Sequence, residues 1–264
     1  MRRRTSLSLS LSLGSALLAT AGLSGRAAAE EPTSALAADV APDGTRFLAT
    51  TLGAAAARAA TVTSAFGGYD GAARTPTFNI GTEVRLVRRV SLLVGVGYDS
   101  TRATSAGVRP QVGARVQVLN QGQSGVDASA TLMFRQDRFT SEDGMFQGGI
   151  AVGRSFGDTA AVVNVVYASD GEGDDHEGEL RVGATRRLRG GLHAGVEARY
   201  MHSLASTDPN RQMLGTSSME ASAGPLVAYQ ISNWAFIAEV GLAARQTVRT
   251  DTGVAAVGGI VATF

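Results

Sequence analysis

Charged side chains recur at alternating positions along this chain, and their chemistry is the first clue to its function. Every basic residue other than His is Arg, because the sequence contains no Lys. A guanidinium pairs with a carboxylate in a planar, often bidentate arrangement, and an unpaired charge is costly to bury. We therefore expect pairs between neighbouring segments, for example Arg199 with Glu220. The candidate residues are Glu83, Arg85, Arg109, Arg115, Asp127, Arg135, Arg181, Glu197, Arg199, Glu220, Glu239 and Arg245.

An acidic segment is the one weak candidate for a metal site. Asp170, Glu172, Asp174 and Asp175 offer carboxylate oxygens of the kind that Ca²⁺ prefers. The segment lacks the carboxylate at the twelfth position of an EF-hand, so a solvated loop is the favoured interpretation. The absence of Cys excludes a thiolate metal site, and no Gly-rich stretch is followed by a helix that could bind phosphate. We therefore predict no metal and no cofactor.

The charged residues lie in segments with a period of two. In 192–202, for example, Val196 and Ala198 alternate with Glu197 and Arg199, and the same pattern recurs in 108–118 and 234–245. Successive side chains of a β-strand point to opposite faces, so each segment has one apolar face and one polar or Gly-rich face. Apolar-out, polar-in alternation is the signature of a transmembrane β-barrel. Repetition along the chain strengthens this interpretation.

About twelve such strands can be assigned. They cover residues 59–70, 75–88, 90–101, 107–120, 125–138, 145–156, 160–169, 177–188, 191–203, 216–230, 234–247 and 253–264. Most reach the roughly 9–11 residues that a tilted strand needs to cross a bilayer. Short connections such as 157–159 alternate with longer or more polar ones such as 204–215. Because bacterial barrels have short periplasmic turns and longer outer loops, this alternation predicts both termini on the periplasmic side.

The N-terminal part carries a predicted signal peptide over 1–29, with three consecutive Arg, an apolar stretch and a small-residue cleavage site. Residues 30–58 are predicted to form either a periplasmic tail or a small plug inside the barrel, and 59–264 the barrel itself. Removal of 1–29 removes four Arg and no acid, which leaves 20 Arg against 23 acids and a net charge of about −3. No basic surface for nucleic acid is therefore expected.

The chain ends on Phe264, which closes a strand whose even-numbered residues from Val254 onwards share one face. With the signal peptide and the alternation over roughly 200 residues, this ending resembles bacterial outer-membrane β-barrels. The resemblance implies an all-β, antiparallel up-and-down barrel in the cell outer membrane, porin-like but of no identified subfamily. It also implies that Phe264 is a signal to the barrel-assembly machinery, and that the chain is a monomer in contact with lipid and lipopolysaccharide. A soluble β-sandwich, which also alternates, is the competing fold.

Three functions remain open. The first is a narrow pore for passive diffusion of small polar solutes, with paired Arg and acidic groups lining a lumen in which glycines leave space. The second is a non-conducting structural or surface-interaction barrel closed by the same ion pairs. The third is a lipid-modifying enzyme of the outer membrane, for which His202 lacks a Ser two residues away. The alternation and the Gly-rich inner face favour the first.

Overall fold

A single closed β-barrel accounts for nearly all of the described chain. The computed structural model describes residue 54 and residues 60–99, 107–136, 144–170, 175–206, 219–246 and 249–264. Each strand pairs antiparallel with its neighbours in the chain, and β1 pairs with β12 to close a barrel of twelve strands. The predicted up-and-down barrel is confirmed. The predicted signal peptide, and residues 30–58 apart from Ala54, lie outside the described residues.

The strands are close to those expected from the alternation. They are β1 (Thr61–Asp70), β2 (Thr75–Val87), β3 (Val90–Asp99), β4 (Gly107–Leu119), β5 (Asp127–Gln136), β6 (Gly144–Phe156), β7 (Thr159–Asp170), β8 (Asp175–Arg189), β9 (Leu192–Ser206), β10 (Met219–Ile231), β11 (Trp234–Gln246) and β12 (Thr250–Thr263). The first predicted strand, 59–70, is observed as β1 from Thr61 onwards. Even strand number and closure follow from its presence.

Alternation along each strand separates the two faces of the wall. On β7, Val163, Val165 and Tyr167 are exposed on the outside, whereas Val162 and Asn164 are buried on the inside. Directly paired residues of neighbouring strands point to the same side, so this assignment carries around the whole barrel. The outer face is therefore an apolar band that suits lipid, and the inner face surrounds a lumen.

The two ends of the barrel differ in their connections. We call the end where β1 begins and β12 ends the terminal rim, and the other end the loop rim. Terminal-rim turns are tight, such as Ser232 and Asn233 between β10 and β11, whereas β9 and β10 on the loop rim are separated by residues 207–218. The separation of short and long connections follows the predicted pattern.

A short helix, α1 (Gln121–Ser124), lies in the β4–β5 connection. Asn120 caps it, because its side-chain oxygen accepts a hydrogen bond of 3.0 Å from the backbone N–H of Gly122. The described parts of the chain hold no helix that is both long enough and apolar enough to cross a membrane.

Candidate functional site

The barrel lumen is the candidate site, because the strand register brings the predicted charged residues to its wall. All twelve candidates occupy positions on the inner face, and Glu177, Glu179 and Arg187 share that face. Glu83, Arg85, Arg109, Arg115, Asp127 and Arg135 lie on β2–β5, and Arg181, Glu197, Arg199, Glu220, Glu239 and Arg245 lie on β8–β11. We call these groups of four strands the two charged sectors.

The sector β8–β11 is organised around one carboxylate. Glu179 binds Arg181 on its own strand, with 2.6 Å between Arg181 Nη2 and Glu179 Oε2, and it also binds Arg199 Nε on β9. Arg181 and Arg199 are themselves directly opposite each other. The side chain of Glu179 is almost fully buried, and both of its oxygens bind a guanidinium group.

Glu220 completes this sector towards β11. Arg245 Nε lies 3.4 Å from Glu220 Oε1, and the two residues are a directly opposed pair in the sheet. The pairing expected from the sequence was Arg199 with Glu220. In the structure Arg199 binds Glu179 directly, and Glu220 acts on it electrostatically from the neighbouring strand. Arg199 on β9 therefore pairs with β8, and Glu220 on β10 pairs with β11, instead of the two residues pairing with each other.

The sector β2–β5 contains an ion pair that crosses a strand. Arg115 Nη2 on β4 donates a 2.7 Å hydrogen bond to Glu83 Oε1 on β2, over the intervening β3. The small side chain of Ser91, which is opposite Arg115 on β3, leaves room for the guanidinium to pass. Both charged side chains are largely buried, so this pair stiffens the wall and offers little charge to the lumen.

Asp127 and Arg135 have local partners. Asp127 accepts hydrogen bonds from Gln117 Nε2 at 3.0 Å and from the backbone N–H of Gln121 at 2.9 Å, so it holds the turn at the terminal rim. Arg135 Nη2 lies 3.4 Å from the sulfur of Met145. These contacts give Asp127 a structural role that the sequence pattern did not indicate.

Two uncharged sectors, β6–β7 and β12–β1, separate the charged ones. Away from Asp70, Asp170 and Asp251 near the loop rim, the inner faces of these four strands carry only apolar and neutral polar side chains. The strand order puts four strands on each side between them, so the uncharged sectors face each other across the lumen. This division was not predicted from the sequence, although it is visible once the strands are arranged in a circle.

Neighbouring side chains occupy the space beside some inner-face glycines, which the sequence predicted to be free. A Cβ added to Gly259 would overlap the ring of Phe66 on β1, and one added to Gly95 would lie 2.7 Å from Gln111 Nε2. Phe66 packs with the buried side chains of Ala228, Ile237 and Val261 near the terminal rim. The expectation that these glycines leave free space therefore needs correction at Gly259 and Gly95, where they accommodate large neighbours.

The remaining candidates are separate from the charged sectors. Phe264 lies on the outer face at the terminal rim, with its ring edge-to-face against Trp234 and 6.5 Å between ring centroids. His202 stacks on Tyr200 at 6.4 Å. Asp170 ends β7, whereas Glu172, Asp174 and the side chain of Asp175 are outside what the structure describes. Within the described residues, no three His, Asp or Glu side chains are grouped so that they could hold a metal.

The chain has the fold of porin-like outer-membrane β-barrels. Among solved structures it is similar to the NanC porin, with a TM-score of 0.55, 12% identity and coverage of 76% of this chain and 98% of that one. It is also similar to the KdgM porin in complex with disordered oligogalacturonate, with a TM-score of 0.54, 13% identity and coverage of 77% and 99%. LpxR from Salmonella typhimurium gives a TM-score of 0.50 at 8% identity, with coverage of 77% and 100%.

No protein-family profile matches the sequence, and no curated protein matches it. At identities this low, the structural likeness concerns the fold. The closed barrel and its apolar outer face define a transmembrane β-barrel, the fold that it shares with these porins.

Proposed function

We propose that this barrel is a narrow pore for passive diffusion of small polar solutes across the outer membrane. The observation that carries the proposal is the Glu179–Arg181–Arg199 cluster on the inner wall, together with the charged sector in which it lies. A wall that only had to pack could be apolar at lower cost, because burying charges requires desolvation. Charged groups at a lumen wall instead provide sites where a polar solute can exchange its hydration for protein contacts.

The uneven exposure of the charged groups indicates which of them a solute would meet. The Arg199 side chain is about one-third exposed, whereas Glu179 and Arg115 are nearly covered. Solutes would therefore contact Arg199 first, with Glu179 behind it partly neutralising the guanidinium. This arrangement favours a mild preference for anions, because the most accessible member of the cluster is cationic.

Acidic saccharides are suitable test solutes. The KdgM porin, which shares the fold, was solved with an oligogalacturonate. Guanidinium groups bind carboxylates in a planar, bidentate manner, so a lumen whose cations are all Arg offers a fitting chemistry. Galacturonate and its neutral counterpart galactose form a matched pair for competition with ion flow.

Single-channel recording in planar bilayers tests the pore directly. Refolded protein that shows heat-modifiable migration on gels should give discrete conductance steps in KCl, with a reversal potential that indicates weak anion preference. Galacturonate should block this current more strongly than galactose. Folded protein that inserts and gives no current at any voltage would support a non-conducting structural or surface-interaction barrel instead.

We assign no catalytic role to the wall. A nucleophile needs a base within hydrogen-bond reach. His202 lies on the outer face, stacked on Tyr200, while the neighbouring Ser203 occupies an inner-face position. Incubation with lipopolysaccharide and analysis of its acyl chains would detect a hydrolase and contradict the assignment of no catalytic role.

The proposal also includes a monomeric barrel with both termini in the periplasm, assembly by the barrel-assembly machinery through Phe264, and contact with lipopolysaccharide at the outer leaflet.

A further inference from the structure

Ala54, which precedes β1, lies against the inside of the barrel wall. It is only 1% exposed and forms one apolar cluster with Ala151 on β6, Val162 on β7 and Leu226 on β10. All three partners occupy inner-face positions, since they are paired with other inner-face residues. β7 and β10 are separated by two strands in the barrel order, so a residue that packs on both must lie within the lumen.

The wall beside Ala54 includes small residues of β6 that allow close contact. Ala151 and Gly153 are alternate inner-face residues of β6, and a Cβ built on Gly153 would lie 3.0 Å from the Cβ of Ala54. That spacing is tighter than normal van der Waals contact, so only glycine leaves Ala54 in place without a shift. Ala54 itself falls in a run of small residues, from Gly53 to Ala57. The small side chain of Ala54 and the missing side chain of Gly153 allow these two residues to approach each other closely.

Burial of the neighbouring wall supports an occupied lumen at this height. The inner-face residues of β7 are almost fully buried: Val162 is 3% exposed, Asn164 1% and Val166 4%. Ala54 covers part of this wall, since it packs against Val162 and Ala151.

We propose that the uncharged sector β6–β7, together with Leu226 on β10, is an internal docking site for the chain around Ala54. The barrel thereby takes up part of its own N-terminal sequence. Of the two predictions for residues 30–58, the docking of Ala54 corresponds to the plug, which stays a prediction. The docking itself is independent of the proposed pore, and only its effect on conductance depends on the pore.

The lack of native cysteine makes the docking testable by disulfide formation. A disulfide needs Cβ atoms about 3.5–4.5 Å apart, which the Ala54→Cys, Gly153→Cys pair reaches with a small shift. Ala54→Cys with Ala151→Cys is a second pair that keeps Gly153. The matched control is Ala54→Cys with Val152→Cys, because Val152 is next to Gly153 on the exposed outer face. Oxidised, refolded barrels are digested with trypsin and the linked peptides are identified by mass spectrometry.

We expect cross-links in both inner-face pairs and none in the outer-face control. A single Ala54→Cys variant should lose maleimide labelling in the folded barrel and regain it in denaturant, while Asp158→Cys in an exposed turn labels in both states. Equal cross-linking of all three pairs, or labelling of folded Ala54→Cys as fast as Asp158→Cys, would overturn the docking. Cross-links in a barrel that does not conduct would support the docking and contradict the proposed pore. Conductance without cross-links would support the pore and contradict the docking.

Discussion

Arg181 and Arg199 lie directly opposite each other on β8 and β9, and both guanidinium groups bind the same carboxylate, Glu179. Like charges in opposed positions destabilise a sheet unless a counter-charge lies between them. Glu179 supplies that counter-charge, and Glu177 and Glu220 add further negative charge close to Arg199. This inner wall therefore depends on one buried acid for its local electrostatic balance.

Replacement of Glu179 by Gln should be strongly destabilising. The variant leaves two opposed Arg without their shared partner, and loss of one member of a buried ion pair costs about 3–5 kcal/mol. Denaturant unfolding of the refolded barrel, followed by tryptophan fluorescence of Trp234, measures the loss. The control is Asp158→Asn, which removes the partner of Arg187 in a more exposed pair and should cost less than about 1 kcal/mol. Similar losses for both variants would contradict a special role of Glu179.

Arg199→Gln should change ion selectivity more than stability. Its side chain is more exposed than that of Arg181, so it meets the lumen, and its removal leaves Glu179 neutralised by one guanidinium alone. The reversal potential in a KCl gradient should shift towards cation preference. Arg115→Gln provides the comparison, because that side chain is covered and pairs with Glu83, so it should lower stability with little change in selectivity. The opposite ranking would mean that the conduction path runs along β2–β5.

Two adjacent glycines on β12 should respond oppositely to added side chains. Gly259 lies under the ring of Phe66, so Gly259→Val forces the ring away from Ile237 and Val261 and should cost about 1–3 kcal/mol. Gly258 points outwards, where an added Cβ would meet only the carbonyl oxygen of Ile237 at 3.8 Å. Gly258→Ala should therefore fold normally. Gel mobility of unheated samples, with denaturant midpoints, distinguishes the two. Equal tolerance would show that Phe66 can leave the inner face freely.

The sequence predicted the barrel well, because period-two alternation and turn residues are local signals. It could not identify ion-pair partners, since the choice of Glu179 for Arg199 depends on the lengths and directions of side chains across neighbouring strands. Phe66 was missed for a different reason. On β1, Val62, Ser64 and Phe66 face inwards and alternate with residues of similar polarity, so the pattern there has little contrast. The contact of Ala54 with three distant strands has no local signal at all.

A pair of variants can separate the backbone contacts of Phe264 from the contacts of its ring. Its backbone closes the barrel, because the N–H of Phe264 donates to the carbonyl of Thr61 at 2.9 Å and the N–H of Thr61 donates to that of Phe264 at 3.1 Å. Its ring lies outside, against Trp234. Phe264→Ala keeps both backbone bonds and removes the ring. Deletion of Phe264 removes the bonds as well.

Both variants should lower the amount of barrel in the outer membrane of cells, because we propose that the ring is a signal to the barrel-assembly machinery. In purified, refolded protein only the deletion should weaken closure, and Phe264→Ala should lose no more than about 1 kcal/mol, the value of an exposed aromatic pair. Membrane fractionation and heat-modifiable migration measure the two effects. Phe156→Ala, another exposed aromatic at the terminal rim, should assemble normally. If Phe264→Ala also assembles normally, the ring serves only to pack against Trp234 and the signal lies elsewhere in β12.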